Sequence, residues 1–371
     1  MALITVAVPA YNASVTLERT LRSVQAQTHS DIEVFIVDDG SADATFELAK
    51  IFAAQDRRFQ IVRQENSGVA AARNVGLRHA SGKYITWIDA DDLWHPTKIE
   101  KQLQVFQRAK TPLSFVYTGY RLVDENDRII PNFRTLADIS GHTICRQIAT
   151  NFFSNVSSIM VPTGLARRFG GHDPRLRDWG VQGSEDLLLQ LQLSTLGPAG
   201  CVQEALVGYR MHQDNMSLDH LRSAKSNLKA LELIEHSTAD IPAWVFRLGR
   251  ARTAGYCLHL LRDGRPAESL KTFISLFRRQ PGYTLLVLAL IAGWETRKAV
   301  FSGLGADPAL GTPFSEADPA SVPWLGHMVL TSWHRKLLDE ADARRIQPGI
   351  AVPPSLPEPG GTVHSATWPA E

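Results

Sequence analysis

Three aspartates in a run of four, Asp89-Ala90-Asp91-Asp92, follow directly on the apolar run KYITWI. A run that buries its side chains and then ends in carboxylates delivers hard oxygen ligands to the rim of a sheet, where Mg²⁺ or Mn²⁺ can bridge to phosphates. Asp89 and Asp91 are separated by one residue. In extended chain they point to one side, one toward the metal and the other toward a ribose or a metal-bound water. That chemistry implies a nucleoside diphosphate. Two more motifs close apolar runs: Pro9-Ala10-Tyr11-Asn12 after LITVAV, and Asp38-Asp39-Gly40-Ser41 after IEVFIV. Taken singly, the three read equally well as a loop, a turn with a helix cap, and a cap for the helix at Pro96. Together they carry more weight, because open α/β sheets bind ligands outside the carboxyl ends of their strands and all three would meet in one crevice.

Those motifs need strands to end on, and the first half of the chain alternates apolar runs with helical periodicity. LITVAV, IEVFIV, FQIV, KYITWID and SFVYTGYRLVD read as strands. Between them, Leu17, Leu21 and Val24 recur at helical spacing behind Asn12 or Ser14 as cap, and Ser41 is placed to cap a helix carrying Leu48, Ile51 and Phe52. SGVAAARNVGLRHA is a small-residue helix able to pack closely on a sheet, and Pro96 suits the first turn of a helix that turns Ile99, Leu103 and Phe106 inward. From about Pro131 to Gly183 the pattern is less regular, with one strand, NVSSIMVP, and a short helix, TGLARRF. SEDLLLQLQLSTLG is then a helix capped by Ser184 and stopped at Gly197-Pro198, and CVQEALVGYRMH is a strand that places Arg210 and His212 on one side. The class is α/β, a mostly parallel sheet flanked by helices.

At 371 residues the chain is long enough for one large α/β domain and a helical appendage. A formal charge of +1 with mixed signs gives no footprint for nucleic acid. Cys145, Cys201 and Cys257 are odd in number, widely spaced and outside any CxxC pattern, which argues against a disulfide framework and a zinc site. With no basic leader before the first strand, a cytoplasmic chain is expected. Beyond His220 the pattern is helical, with 241–262 and 266–279 forming a hairpin around Asp263-Gly264-Arg265. The apolar run 283–294 falls short of the roughly 20 residues a membrane span needs. Flanked by Arg278, Arg279, Arg297 and Lys298, it suits a membrane interface or a buried core helix equally. Pro, Gly and small residues dominate from Ser302, and disorder is expected after Gln347.

No GxGxxG follows the first strand and no GxxxxGK[ST] occurs anywhere, so glycine-loop cradling of phosphates is excluded and a metal must carry that charge. A sugar nucleotidyltransferase, which also holds metal on carboxylates at a sheet edge, would need such a loop after strand one. A non-catalytic glycan-binding protein on the same fold is the other alternative, and the intact Asp91 and Asp186 speak against it.

VAVPAYN, VDDGS, NSGVAAARNVGL, DADD, SEDLLL and YRMH, in that order, resemble the inverting family 2 glycosyltransferases of the GT-A fold, over roughly the first 220 residues. The resemblance implies that Pro9, Ala10, Tyr11 and Asn12 line the base and ribose of a nucleotide-sugar donor, that Asp39 accepts a hydrogen bond from the base, and that Arg73 sits near Asp39 or the diphosphate. Asp89, Ala90 and Asp91 become the DxD segment on donor and metal, and Asp186 becomes the general base beside Glu185; His212 either completes the metal shell or touches the diphosphate, as a histidine does in some relatives, or is a plain surface or core histidine. Trp179, a few residues before Glu185 and Asp186, reads either as a stacking platform for an acceptor sugar or as a packed loop anchor. Acidic residues are favoured in the first turn of any helix, and the same dipole is expected to keep Asp186 ionised at neutral pH, hence a weak base. The division that follows is a GT-A-like domain over 1–219, with a nucleotide-binding half to 130 and an acceptor half from 131. A helical extension over 220–301 and a partly disordered tail over 302–371 complete it. The QxxRW motif and multiple spans of processive synthases are absent, which favours single-sugar transfer to a glycan or lipid-linked glycan. Surface polysaccharide or glycolipid assembly is the expected setting, with peripheral membrane contact through 283–294.

Overall fold

A computed structural model of the chain describes residues 2–131, 139–152, 155–213, 215–286, 288–289, 309–320 and 332–344. Among these residues nine strands form one sheet in the order β3-β2-β1-β4-β8-β6-β9-β5, with β7 paired to β6. The first half comprises β1 (Ile4–Ala10), β2 (Ile32–Asp38), β3 (Phe59–Arg63) and β4 (Tyr84–Trp87), and every pairing within it is parallel. Its crossovers are α1 (Leu17–Gln25), α2 (Thr45–Gln55) and α3 (Val69–His79). The second half is mixed. β5 (Leu93–Trp94) lies antiparallel to β9 (Ala199–Arg210), β6 (Phe115–Val123) runs parallel to β9, and β7 (Ile129–Ile130) and β8 (Ile159–Pro162) pair antiparallel to β6. α4 (Lys98–Arg108) precedes β6, and α5 (Ile144–Thr150), α6 (Thr163–Arg168), α7 (Arg175–Asp178) and α8 (Glu185–Leu196) surround β8 and lead to β9.

Helices cover both faces of β1, so all seven of its residues are buried. Ile4, Val6 and Val8 pack with Leu17, Leu21 and Val24 on one face, each such side chain contributing about 1.5–3 kcal/mol. Ala7 meets Leu77, Ile85 and Trp87 on the other. α3 comes so close there that a Cβ on Gly76 would lie 2.4 Å from that of Ala7, which explains the small residues of that helix.

The caps differ from those expected of the sequence. α1 starts behind Thr16 rather than Asn12 or Ser14, and α2 starts at Thr45, whose N–H is accepted by Asp43 rather than Ser41. Pro96 lies two residues before α4, and Ser184 occupies the cap position of α8 without a side-chain bond to it. Asn12 and Ser41 are instead bonded to one another's loops: the Asn12 N–H donates to Ser41 Oγ at 3.0 Å, and Asn12 Oδ1 accepts from the Ala42 N–H at 2.9 Å.

After β9, α9 (His220–Ser237), α10 (Ala243–Arg252), α11 (Gly255–Arg262) and α12 (Pro266–Arg279) follow. α9 and α10 share a core with α5 and α8 through Ile148, Leu188, Leu231, Phe246 and Leu248. Of the run 283–294, residues 287 and 290–294 lie outside the described residues; the start is helical, with Tyr283 against the core, Thr284 buried and Leu285 exposed. The disorder expected after Gln347 also falls outside them. Within 302–371, residues 309–320 lie along the second half of the sheet. The Ile129 N–H donates to Thr312 O, the Ala205 N–H donates to Pro319 O, and Phe314 packs with Leu93, Val123 and Ile129. The helix Ser332–Arg344 sends Leu338 into the α5–α8 core, and its Asp342 accepts from the Cys145 and Arg146 N–H groups at the start of α5. Among the described residues no helix is long and apolar enough to cross a membrane.

Candidate active site

The parallel half of the sheet sets its carboxyl ends side by side, and the first two motifs are tied there by backbone. Pro9 and Ala10 finish β1, the Asp39 N–H donates to Ala10 O at 2.8 Å, and Asn12 adopts φ 49°, which turns the chain so that Tyr11 stands 53% exposed over the rim. Asp38 pairs with Arg63 at 3.0 Å. The buried Asp39 carboxylate accepts from Gln64 Nε2 at 2.6 Å and from the Ser67 and Gly68 N–H groups at 2.8 Å each. Three of about four acceptor positions are thus filled by the loop before α3. Gly68 takes φ 88° in that loop, where a side chain would strike Arg177 of α7, and Arg177 in turn bonds Asn66 Oδ1 at 2.8 Å.

At the end of β4 the chain turns rather than continuing extended, so Asp89 and Asp91 take different partners instead of sharing one side. Asp89 accepts from Arg73 at 2.6 Å, and Asp91 lies 2.9 Å from His212 Nε2. Arg73 is therefore paired with Asp89 and not with Asp39. β9 ends at Arg210, and His212 reaches Asp91 from the segment beyond it rather than along the strand. Ala90 is buried, and its carbonyl and that of Asp92 both accept from Thr20 Oγ1.

Three residues not assigned from sequence hold this turn in place. Asp92 is fully buried, accepting from Ser157 Oγ at 2.6 Å and from the Arg210 N–H at 3.2 Å; burial and the neighbouring Asp91 and Asp89 push its pKa well above the carboxylate range. Ser157 Oγ also accepts from the Asp89 N–H at 3.1 Å. Arg210, 1% exposed, donates from Nε to Asp91 O at 2.8 Å and from Nη1 to Asp124 O at 2.9 Å. The available signals were the fourth position of DADD and the two serines interrupting NVSSIMVP.

Arg73 connects the turn to α8. It is buried, and its charge acts on Asp89, Asp186 and Glu185 together. Asp186 is not held at the low pKa that its helix position alone implies. Desolvation raises its pKa to about 7, with Glu185 adding to the rise while Arg73 and the Leu187 N–H oppose it. Glu185 is likewise raised by burial, and accepts from the Gly183 N–H at 2.9 Å. Desolvation outweighs the dipole here, even at a half-buried residue, because helix-end effects are confined to the first turn and are small. Trp179 stands 44% exposed at the end of α7, with the Lys229 ammonium 4.8 Å from its ring centre. Its ring face is thus already engaged by a cation.

The metal reading can be tested on the donor set. Asp91 and His212 present an oxygen and a nitrogen at a partly exposed rim, which suits an ion that keeps waters and takes the rest of its shell from phosphates. Asp89 could reach such an ion only with the oxygen not bonded to Arg73. Among the described residues no group of three or more His, Cys, Asp or Glu side chains forms a self-sufficient metal cage.

The family model described as "Glycosyl transferase family 2" matches residues 5–160. A Bacillus subtilis (strain 168) protein bearing the name teichuronic acid biosynthesis glycosyltransferase TuaG is 30% identical over 254 residues, 66% of this chain and 93% of that protein. A glycosyltransferase of Rickettsia bellii is 30% identical over 212 residues, and there this chain spans only 29% of the relative's length. Among solved structures, S. aureus TarS 1–349 in complex with UDP-GlcNAc aligns with a TM-score of 0.55 at 16% identity, covering 81% of this chain and 88% of that one. The mannosyltransferase PcManGT of Pyrobaculum calidifontis, in complex with GDP-Man and Mn²⁺, aligns with a TM-score of 0.53 at 17% identity, covering 81% and 82%. At these identities the two structures speak for the fold.

Proposed function

The chain belongs to glycosyltransferase family 2, and on that premise we propose that it transfers a single sugar, with inversion, from a nucleotide-diphosphate sugar to a hydroxyl of a glycan or lipid-linked glycan. The observation that carries the proposal is the Asp186 carboxyl, raised to about 7 and linked through Arg73 to the Asp89–Asp91 turn. A base with a pKa near the working pH is the most effective kind, and here desolvation supplies it.

In this mechanism the loops of Pro9–Asn12 and Asp39 hold the base and ribose, while the turn at Asp89–Asp91 places the diphosphate at the rim. The acceptor oxygen forms its bond to the anomeric carbon as the bond from that carbon to the phosphate oxygen breaks, and the acceptor's proton passes to a carboxylate oxygen of Asp186. Arg73 keeps Asp89 in place and offsets part of the charge around Asp186. Mg²⁺ or Mn²⁺, held by Asp91 and His212 with Asp89 beside them, would neutralise charge on the departing nucleoside diphosphate. Bound metal and donor in PcManGT, and the donor in TarS, support this reading by similarity. TuaG's name supports a place in surface polysaccharide or glycolipid assembly. The lipid-linked case goes with peripheral contact of the 283–294 run at a membrane.

The test is a thermal-shift panel of nucleotide sugars with and without Mn²⁺, followed by NMR of the product from the donor that binds. A metal-dependent shift for one donor and an inverted anomeric centre are expected. A donor that stabilises equally with and without metal removes the metal role, and a retained configuration removes direct displacement.

A further inference from the structure

We propose that the outer face of α12, with Leu261 of α11 and Leu285 just beyond α12, is a docking surface for an anionic lipid bilayer. Leu270 and Ile274 lie one turn apart on α12 and are 59% and 38% exposed, and Leu261 and Leu285 are 51% and 54% exposed. The opposite side of α12 is satisfied by the protein: Leu276 is buried, and Ser269 Oγ donates to Cys257 O at 2.7 Å. The exposed leucines and isoleucine are therefore not surplus core.

Charge selects the occupant. Residues 261–286 hold five basic and two acidic side chains, against a formal charge of +1 for the whole chain. The two acids already have partners, since Glu268 takes Arg265 at 3.3 Å and Asp263 stands 3.8 Å from His220. Arg278 continues the row of Leu270 and Ile274 by one more turn, and Lys271 and Arg279 flank it, all three exposed. An exposed apolar strip bordered by cations is the arrangement that settles into a headgroup region of negative charge, the apolar side chains entering the acyl boundary and the cations meeting phosphates. α12 packs on α11, α11 on α9, and α9 on α8, so the docking face is joined by packed helices to the helix that begins at Glu185 and Asp186. The proposal deepens the lipid-linked acceptor reading and rests on it for its purpose, whereas the binding itself does not depend on catalysis.

Co-sedimentation of the full chain with phosphatidylcholine vesicles, with and without phosphatidylglycerol, tests it. Binding to the anionic vesicles that weakens as salt is raised is expected. Leu270→Ser with Ile274→Ser should lower partitioning about tenfold or more. Lys271→Gln with Arg278→Gln and Arg279→Gln should abolish the preference for anionic over neutral vesicles. Because these side chains face solvent, far-UV circular dichroism and thermal unfolding should match the parent, and transfer to a water-soluble acceptor should be unchanged. Equal partitioning of the double-serine variant, indifference to lipid charge, or a dimer in light scattering that this variant converts to monomer would each overturn the proposal. A wild-type chain that binds vesicles but transfers no sugar would instead count against the glycosyl-transfer reading.

Discussion

At the ends of the parallel strands Asp39 accepts from three donors and Asp92 from Ser157 and the Arg210 N–H, whereas at the start of α8 Asp186 accepts, among the described residues, from one N–H, that of the next residue. The strand-end rim is braced where Asp39 and Asp92 accept from backbone N–H groups of neighbouring segments. The acceptor rim leaves a carboxyl under-solvated with an oxygen to spare. Bracing suits groups that position a diphosphate. Under-solvation suits a group that must take up a proton. The Arg73 charge acts on both, and its Nε is buried without a hydrogen bond among the described residues, so it is held by electrostatics on Asp89 more than by a full set of partners.

The contrast is broken most directly at its reactive end. Asp186→Asn should reduce transfer by about 10²–10⁴-fold, the usual contribution of a general base, with donor affinity unchanged by calorimetry. Retained turnover would move the base elsewhere. Asp91→Ala should weaken donor binding in Mn²⁺ by about 10–100-fold, the range that even outer-shell partners of a metal command, and EDTA should then have no further effect. Full affinity in EDTA would detach the donor rim from metal altogether.

A finer test uses pH. Asp186 must be ionised to accept a proton, so the rate should rise with pH through about 7 and level off above it. Glu185 contributes to the raised value, so Glu185→Gln should move the rising limb to lower pH; a limb that stays in place would show that the two carboxyls do not interact. The smallest effect is expected at Lys98, whose buried Nζ donates to Thr86 Oγ1 at 3.0 Å over the Trp94 ring and pairs with no acid among the described residues. Lys98→Met should change the free energy of unfolding by only about 1 kcal/mol, since a buried amine lost to a chain of similar length removes a desolvation cost along with a bond. A loss several times larger would make the donor rim depend on that ammonium.

Strands and their terminal motifs were legible because period and polarity are local: LITVAV, IEVFIV and KYITWI each end where the structure ends β1, β2 and β4, within a residue or two. Capping was less legible, since Ser, Asn and Asp bond loops as readily as helix starts, and Asn12 and Ser41 went to each other's loops. The tail was hardest to read. Its Pro and Gly content suits a loose segment, yet Thr312, Phe314 and Pro319 meet β7, β9 and the core beside them, contacts made between segments far apart in the chain.

By itself the order of residues determined which carboxylates exist, which strand ends carry them, and which family they resemble, because those follow from spacing along the chain. Folding alone decided that Arg73 would face Asp89 rather than Asp39, that a turn would split Asp89 from Asp91, and that Asp186 would titrate near 7. Charge pairing and desolvation depend on neighbours brought together from distant segments, and no local pattern encodes them.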